Sequence, residues 1–252
     1  MHARREVLLI AGGPWHDIDH ARLELLTLLA QVEHLRVIVR DGWDVAALAR
    51  CDVLVTYTCD LIPDPSQIEA LIAWVEGGGR WLALHGTNSR LVIGEDGKVA
   101  TPPLPEALFD LLGSQFLAHP VPGRFRVRPE AGHPLTDGIG AFFVEDEHYL
   151  QRHAEGNQVL LSSEFEGETP LFETRYWPRA RHQTLYLRPR GKGAVLYLTL
   201  GHTRGRHDMA PITDAYPFVE RGAWVHPAFR ALLTRAIRWL DRDPALESPH
   251  AS

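Results

Sequence analysis

The first apolar residues form a continuous run, Val7-Leu8-Leu9-Ile10-Ala11, closed by Gly12-Gly13. A run without polar alternation suits a strand buried on both faces, the habit of parallel sheets. Leu23, Leu25, Leu26, Leu28 and Leu29 then recur at helical spacing, residues 35–39 predict a second strand, and residues 45–49 a short helix. A third strand is expected over 52–57. A helix follows over 65–75, with proline near its first turn and Gly77-Gly78-Gly79 at its end, and then a fourth strand over 80–84. This alternation predicts an α/β chain with a mostly parallel sheet, right-handed crossovers and helices on both faces. In such sheets ligands bind at the carboxyl ends of the strands.

The Gly- and Pro-rich stretch 89–105 reads as a long loop able to cover that edge, and 106–112 as a short helix. Shorter strands are expected over 125–127, 141–145, 158–163 and 184–187, as an insertion or extension of the sheet. Residues 193–200 form a last apolar strand ending in Gly201-His202. A closing helix over 227–240 carries Phe229, Leu232, Leu233, Ala236, Ile237 and Leu240 on one face. A single domain over 1–243 with a flexible tail over 244–252 is the expected organisation.

Composition narrows the function classes. With 252 residues, 45% of them hydrophobic and 23% charged, the chain can bury a core without a partner. A net charge of −6 and the lack of a basic stretch interleaved with aromatics argue against nucleic acid. No apolar stretch has the length of a membrane span, and the first one is too short for a signal sequence. The only cysteines, Cys51 and Cys59, cannot build a disulfide framework or a four-thiolate zinc site, so a reducing, cytoplasmic setting is expected. The 14 histidines are the unusual feature, since imidazole serves both proton transfer and metal ligation near neutral pH.

Their placement matters more than their number. Polar clusters fall at predicted strand ends: Pro14-Trp15-His16-Asp17, His85-Gly86-Thr87-Asn88, Asp146-Glu147-His148-Tyr149 and Gly201-His202. Phe116 with His119-Pro120 can fold over the same edge. A lone buried histidine is ordinarily structural, but several with a carboxylate at one sheet edge are not what packing selects. His85 sits at a strand-to-loop turn beside Gly86, where it is a general base, a metal ligand or a mere cap of the strand. Glu147 has acidic neighbours that raise its proton affinity, as suits a general acid or base, or else it ligates a cation. Glu145 and Asp146 read as a solvated acidic turn, and His148 as either a participant or a neighbour. Asp17 and His20 either assist His16 or start a helix. Cys59 reads as structural.

Taken in order, several segments resemble the trehalose-utilisation (ThuA-like) family: Glu76-Gly77-Gly78-Gly79-Arg80-Trp81-Leu82-Ala83-Leu84-His85-Gly86-Thr87, Leu112-Gly113-Ser114-Gln115-Phe116 with His119-Pro120, and His133-Pro134-Leu135-Thr136-Asp137-Gly138-Ile139. Asp146-Glu147-His148-Tyr149 and Gly191-Lys192-Gly193-Ala194-Val195-Leu196-Tyr197 leading to Leu200-Gly201-His202 complete the set. The resemblance implies a flavodoxin-like, class I glutamine-amidotransferase-like three-layer sandwich and a link to disaccharides or keto-sugars. It places His16 in the loop after the first strand, His85 at the strand turn where amidotransferases carry their cysteine, Glu147 in an Asp-Glu-x-Tyr element and His202 in a Gly-His element. His148 stands where many relatives carry an apolar residue.

The leading expectation is an enzyme acting on a carbohydrate by hydrolysis, elimination or isomerisation. His85, Glu147 and His202 are the candidate catalytic residues, and His16, Asp17, Thr87, His119 and His148 the candidate substrate-binding residues. A divalent metal such as zinc is the candidate cofactor. The alternative is a non-catalytic sugar-binding or scaffold protein, with Trp15, Trp43 and Tyr149 stacking on sugar faces. A glutamine amidotransferase is excluded by the absence of cysteine at position 85. Trp177 and Trp224, in loop-like contexts, point to a homo-oligomer.

Overall fold

A computed structural model describes residues 4–130, 132–206, 208 and 218–247. The first half alternates as the hydrophobic pattern predicts: β1 (Arg5–Gly12), α1 (Ile18–Leu29), β2 (Leu35–Arg40), α2 (Val45–Leu48), β3 (Val53–Thr58), α3 (Pro65–Glu76) and β4 (Arg80–Leu84). Side chains of Asp17, Asp44 and Asp64 cap the three helices by accepting backbone N–H bonds, and Gln67 reciprocates at Asp64 in a capping box. Within the expected loop 89–105 lies a two-stranded hairpin of β5 (Val92–Ile93) and β6 (Val99–Ala100). It is followed by α4 (Glu106–Leu112), β7 (Ser114–Ala118), β8 (Gly123–Pro129), β9 (Phe142–Asp146) and β10 (Leu150–His153). The long hairpin strands β11 (Gln158–Glu168) and β12 (Tyr176–Arg190), then β13 (Gly193–Leu198) and α5 (Pro227–Leu240), complete the elements.

Nine strands form one sheet in the order β2-β1-β3-β4-β13-β12-β11-β8-β9. The first five are parallel, in the 2-1-3-4-5 order of flavodoxin-like sheets once β13 is counted fifth. The remaining four are antiparallel, so the sheet is evenly mixed rather than mostly parallel. β12 is the reason: it runs back alongside β13 and converts an edge into a platform for β11, β8 and β9. β7 and β10, unmarked by any apolar alternation in the sequence, pair antiparallel beside this extension.

Side-chain alternation along β1 splits the core into two layers. Val7 and Leu9 pack with Leu25, Leu29, Phe229 and Leu233 of α1 and α5. Leu8 and Ile10 pack with Leu48, Ile68, Leu71 and Leu108 of α2, α3 and α4. This gives the three-layer sandwich expected, with a face for each helix set.

Two expectations change. Pro244–Leu246 form a 3-10 turn capped by Asp243, and Leu246 is buried in the α1/α5 layer, so the ordered chain extends past 243; residues 248–252 lie outside the described residues. The tryptophans behind the homo-oligomer expectation are not exposed. Trp224 is buried with its indole N–H donating to the Gly201 carbonyl, and Trp177 is half-buried in β12. No helix is long and apolar enough to cross a membrane, among the described residues.

Candidate metal centre

The carboxyl ends of the strands deliver polar side chains to one point. His16 follows β1, His85 follows β4, His119 follows β7, Glu147 follows β9 and His202 lies just beyond β13. His85 opens a 3-10 turn (His85–Asn88) at φ +47°, a left-handed conformation that costs a non-glycine residue about 1–3 kcal/mol and marks strained functional turns. Gly86 permits the turn: a β-carbon there would lie 2.8 Å from the Thr58 carbonyl oxygen and 2.7 Å from Cys59 Cβ. His16 is also left-handed, at φ 71°.

The Glu147 carboxylate is the hub. Its Oε2 lies 3.4 Å from His16 Nε2 and 3.3 Å from His85 Nε2; its Oε1 lies 3.1 Å from His202 Nδ1 and 3.5 Å from His119 Nε2. The His16 and His85 Nε2 atoms are 3.1 Å apart. Ligand atoms of His16, His85, Glu147 and His202 all fall within 4.8 Å of one another. Tetrahedral coordination at about 2.0–2.1 Å separates neighbouring ligand atoms by about 3.3 Å, so these spacings suit zinc or a similar cation.

Ring orientation supports the same reading. His85 Nδ1 must donate to the Thr199 carbonyl (2.7 Å) and His119 Nδ1 to the Pro120 carbonyl (2.7 Å), which leaves each neutral ring with its Nε2 lone pair toward Glu147. On His202 the roles invert: Nε2 donates to Glu220 Oε2 at 2.7 Å and Nδ1 faces the centre. That buried Nδ1 lies 3.1 Å from Glu147 Oε1, outside hydrogen-bond geometry. Ring nitrogens converging on one point beside an anion match the donor set that a cation site requires.

Charge is distributed accordingly. Burial pushes the pKa of His16, His85 and His119 down, against the pull of Glu147. For Glu147, burial alone would raise the pKa, but His119, His202 and His16 together hold it well below the usual carboxylate range. His202 goes the other way: burial is outweighed by Glu147 and Glu220, and its pKa is pushed up to about 10. Without a cation, His202 therefore carries the charge that balances Glu147, with a second proton on Nδ1 that a bound cation would displace to reach the lone pair.

Asp146, expected to be a solvated acid, is buried and serves as a backbone clamp. Oδ1 accepts the N–H groups of Glu147 (2.7 Å) and His202 (2.9 Å), and Oδ2 those of Gly201 (2.9 Å) and Ala223 (3.0 Å). One side chain thus fixes two of the converging residues relative to each other. Its signal in the sequence is only its adjacency to Glu147; the other three amides it binds, of Gly201, His202 and Ala223, lie over 50 residues away.

Other candidates are not brought to the centre. Asp17 caps α1 through His20 N–H and pairs with Arg221 at 3.0 Å. Thr87 spends its hydroxyl on the Leu84 carbonyl at 2.8 Å and on Thr56. His148 turns away from its neighbour Glu147, stacking on Phe125 (4.1 Å between centroids) and bonding Ser163 at 2.7 Å. Trp43 packs against Trp81 and donates to the Leu61 carbonyl. Tyr149 does reach the centre, stacked on His85 at 4.3 Å. Cys59 is buried at the same edge, with its thiol pKa raised well above normal by burial, so it holds its proton.

A five-stranded 2-1-3-4-5 parallel half-sheet with its polar centre on the carboxyl edge, and histidine at the turn after β4, defines a class I glutamine-amidotransferase-like fold lacking the amidotransferase nucleophile. The ThuA family, described as trehalose utilisation, matches residues 6–214, and the chain belongs to that family. Membership points to a carbohydrate-related role. Among solved structures, a ThuA-like protein from Bacteroides uniformis is 17% identical with a TM-score of 0.64, covering 95% of this chain and 93% of its own. One from Parabacteroides merdae is 15% identical with a TM-score of 0.60, covering 94% and 90%. A cold-adapted β-galactosidase from Rahnella sp. R3 is 14% identical with a TM-score of 0.51, covering 93% of this chain and 31% of its own. No curated protein matches in sequence.

Proposed function

We propose that the chain is a metal-dependent enzyme acting on a keto-sugar or related disaccharide derivative, by proton transfer next to a carbonyl in an elimination or isomerisation. The observation that carries this reading is the convergence of His16, His85, His202 and Glu147 within 4.8 Å of one another. These four would hold the ion, which supplies a Lewis acid able to polarise a sugar oxygen when bound.

His119 is the spare imidazole. It lies outside the four-residue set, its Nδ1–H is fixed on a carbonyl, and its side chain is the most accessible of the five, at 16%. Burial lowers its pKa, so at neutral pH its Nε2 is a free base placed to take a proton from substrate. Tyr149, neutral because burial raises its pKa, braces His85 by stacking.

Hydrolysis by paired carboxylates fits less well. That chemistry needs two carboxyl groups about 5–9.5 Å apart flanking the sugar. Glu147 faces the centre, but Asp146 is spent on four backbone amides and Glu220 lies behind His202. A purely sugar-binding protein has no use for a buried Glu147 ringed by four imidazoles, because burying such charge is costly without a role.

The test is elemental analysis of tag-free protein, followed by turnover assays on 3-keto disaccharides with and without added zinc, manganese or iron. A stoichiometric divalent ion in wild type, lost in His85→Ala together with turnover, is the expected result. Metal-free wild type with turnover untouched by His85→Ala would overturn the proposal.

A further inference from the structure

Resting on that reading of the centre, we infer that Glu220 is a positioning residue for the metal: it fixes the His202 ring so that Nδ1 is presented to the ion. Three observations support this. Glu220 Oε2 accepts the His202 Nε2–H at 2.7 Å, and a ring protonated at Nε2 offers its Nδ1 lone pair inward. The His202 Nδ1 is buried, 3.1 Å from Glu147 Oε1 and without a hydrogen bond of its own. Glu220 itself is not a free surface acid. Its backbone exchanges both N–H···O bonds with Arg204 at 2.9 Å, its carbonyl accepts the Thr203 hydroxyl at 3.1 Å, and Arg204 Nη1 lies 3.4 Å from Oε2.

The carboxylate is therefore built onto the segment that carries His202. Asp146 holds the backbone of His202 from one side while Glu220 holds the ring from the other, which leaves Nδ1 little freedom to turn. A ligating imidazole that donates its second N–H to a carboxylate is the arrangement in which outer groups set ring orientation and ligand basicity, with losses of about 10–100-fold in metal affinity on mutation. Glu220 borders an open cleft of about 750 Å³ that His202 and Asp146 also line, together with Arg124, Phe143 and Glu145, and its side chain is 33% exposed, so Glu220 can be altered without disturbing the packed core.

The experiment is titration of metal-stripped, full-length protein with Zn²⁺ against a chromophoric chelator, and with Co²⁺ read by its visible ligand-field spectrum. Wild type is compared with Glu220→Ala, Glu220→Gln and His202→Ala. Expected results are a 10–100-fold weaker Kd for Glu220→Ala, partial recovery in Glu220→Gln, which retains an acceptor oxygen, and a changed Co²⁺ spectrum in both. The melting temperature of the stripped protein verifies that each variant is folded. Wild-type affinity and spectrum in Glu220→Ala, with His202→Ala impaired, would overturn the inference and leave the metal centre intact. Failure of wild type itself to bind either ion would overturn both.

Discussion

The molecule buries two groups of histidines, and the contrast between them shows what makes a site. At the carboxyl edge of the parallel half, four rings surround Glu147 with nitrogens 3.1–3.5 Å from its oxygens. In the antiparallel extension, His148, His153 and His182 also cluster, with centroids 6.1 Å and 6.4 Å from His182, but none of the three bonds to a carboxylate of the described residues. They bond instead to Ser163 and to the backbone amides of Gln183 and Gln151. Burial lowers their pKa to about 3, 4 and 4, so they are neutral polar core residues. Histidine content alone does not separate the groups; the anion at the focus does.

The largest expected effect breaks the comparison directly. Glu147→Gln keeps the shape of the centre but removes the charge that gathers the rings. Both metal content and turnover should fall, with kcat/KM down on the order of 10³-fold. His182→Ala, its counterpart in the extension, should leave metal content unchanged. Elemental analysis and steady-state kinetics on the two variants side by side decide it, and loss of metal from His182→Ala would mean the groups are not separate.

Acidification should expose the second group. A histidine whose folded pKa lies below its unfolded value takes up a proton on unfolding, so its stabilising contribution is present above about pH 6.5 and lost as pH falls toward the folded value. For His148, His153 and His182 that window runs from about 6.5 down to between 4 and 3, and His16, His85 and His119 act in the same direction. Urea unfolding at stepped pH should show stability dropping by several kcal/mol below pH 6. A pH-independent midpoint from 7 to 5 would contradict buried neutral imidazoles. His202 has the opposite sign: its contribution in metal-free protein is full below about 6.5 and is lost as pH rises through about 10.

Asp146→Asn probes what holds the first group together. Two amides meet each Asp146 oxygen, and the variant replaces one oxygen with an NH2 that cannot accept them. A cost of about 3 kcal/mol is expected from the unsatisfied buried donors, with metal affinity weakened because Glu147 and His202 lose their common anchor. Calorimetry and chelator competition measure the two parts, and wild-type stability would show that the clamp is dispensable.

The parallel half was legible because its strands are buried on both faces and write themselves as unbroken apolar runs, and because α3 and α5 carry their caps and periodicity openly. From those runs followed the strand ends, and from the strand ends His16, His85 and His202; Glu147, which follows β9 in the antiparallel extension, stood out through the Asp-Glu-x-Tyr resemblance instead. The antiparallel extension was not legible to the same depth. Strand β12 runs Tyr176–Arg190, yet Arg179, Arg181 and Arg190 face solvent or ion pairs, and only its 184–187 stretch looks apolar. β7 and β10 bury Ser114, Gln115 and Gln151, polar residues that the pattern assigns to loops. Asp146 and Glu220 escaped for a related reason: their roles depend on partners brought close only by the fold.

The smallest effect sharpens the comparison most finely. His148 lies next in sequence to Glu147 but belongs to the other group, flat against Phe125 and edge-on to Phe165. A phenyl ring can take its place, so His148→Phe loses mainly the 2.7 Å bond to Ser163, whose hydroxyl still accepts from Thr184. At neutral pH the expected cost is about 1 kcal/mol, with metal content and turnover at wild-type levels. As pH falls, wild type must bear a buried imidazole that protonates on unfolding and the variant need not, so the stability difference should shrink and then reverse below about pH 5. Unfolding free energies of the pair at pH 7 and pH 4.5 reveal the crossover. If the variant instead lost its metal, the boundary between residues 147 and 148 would not be where one group ends and the other begins.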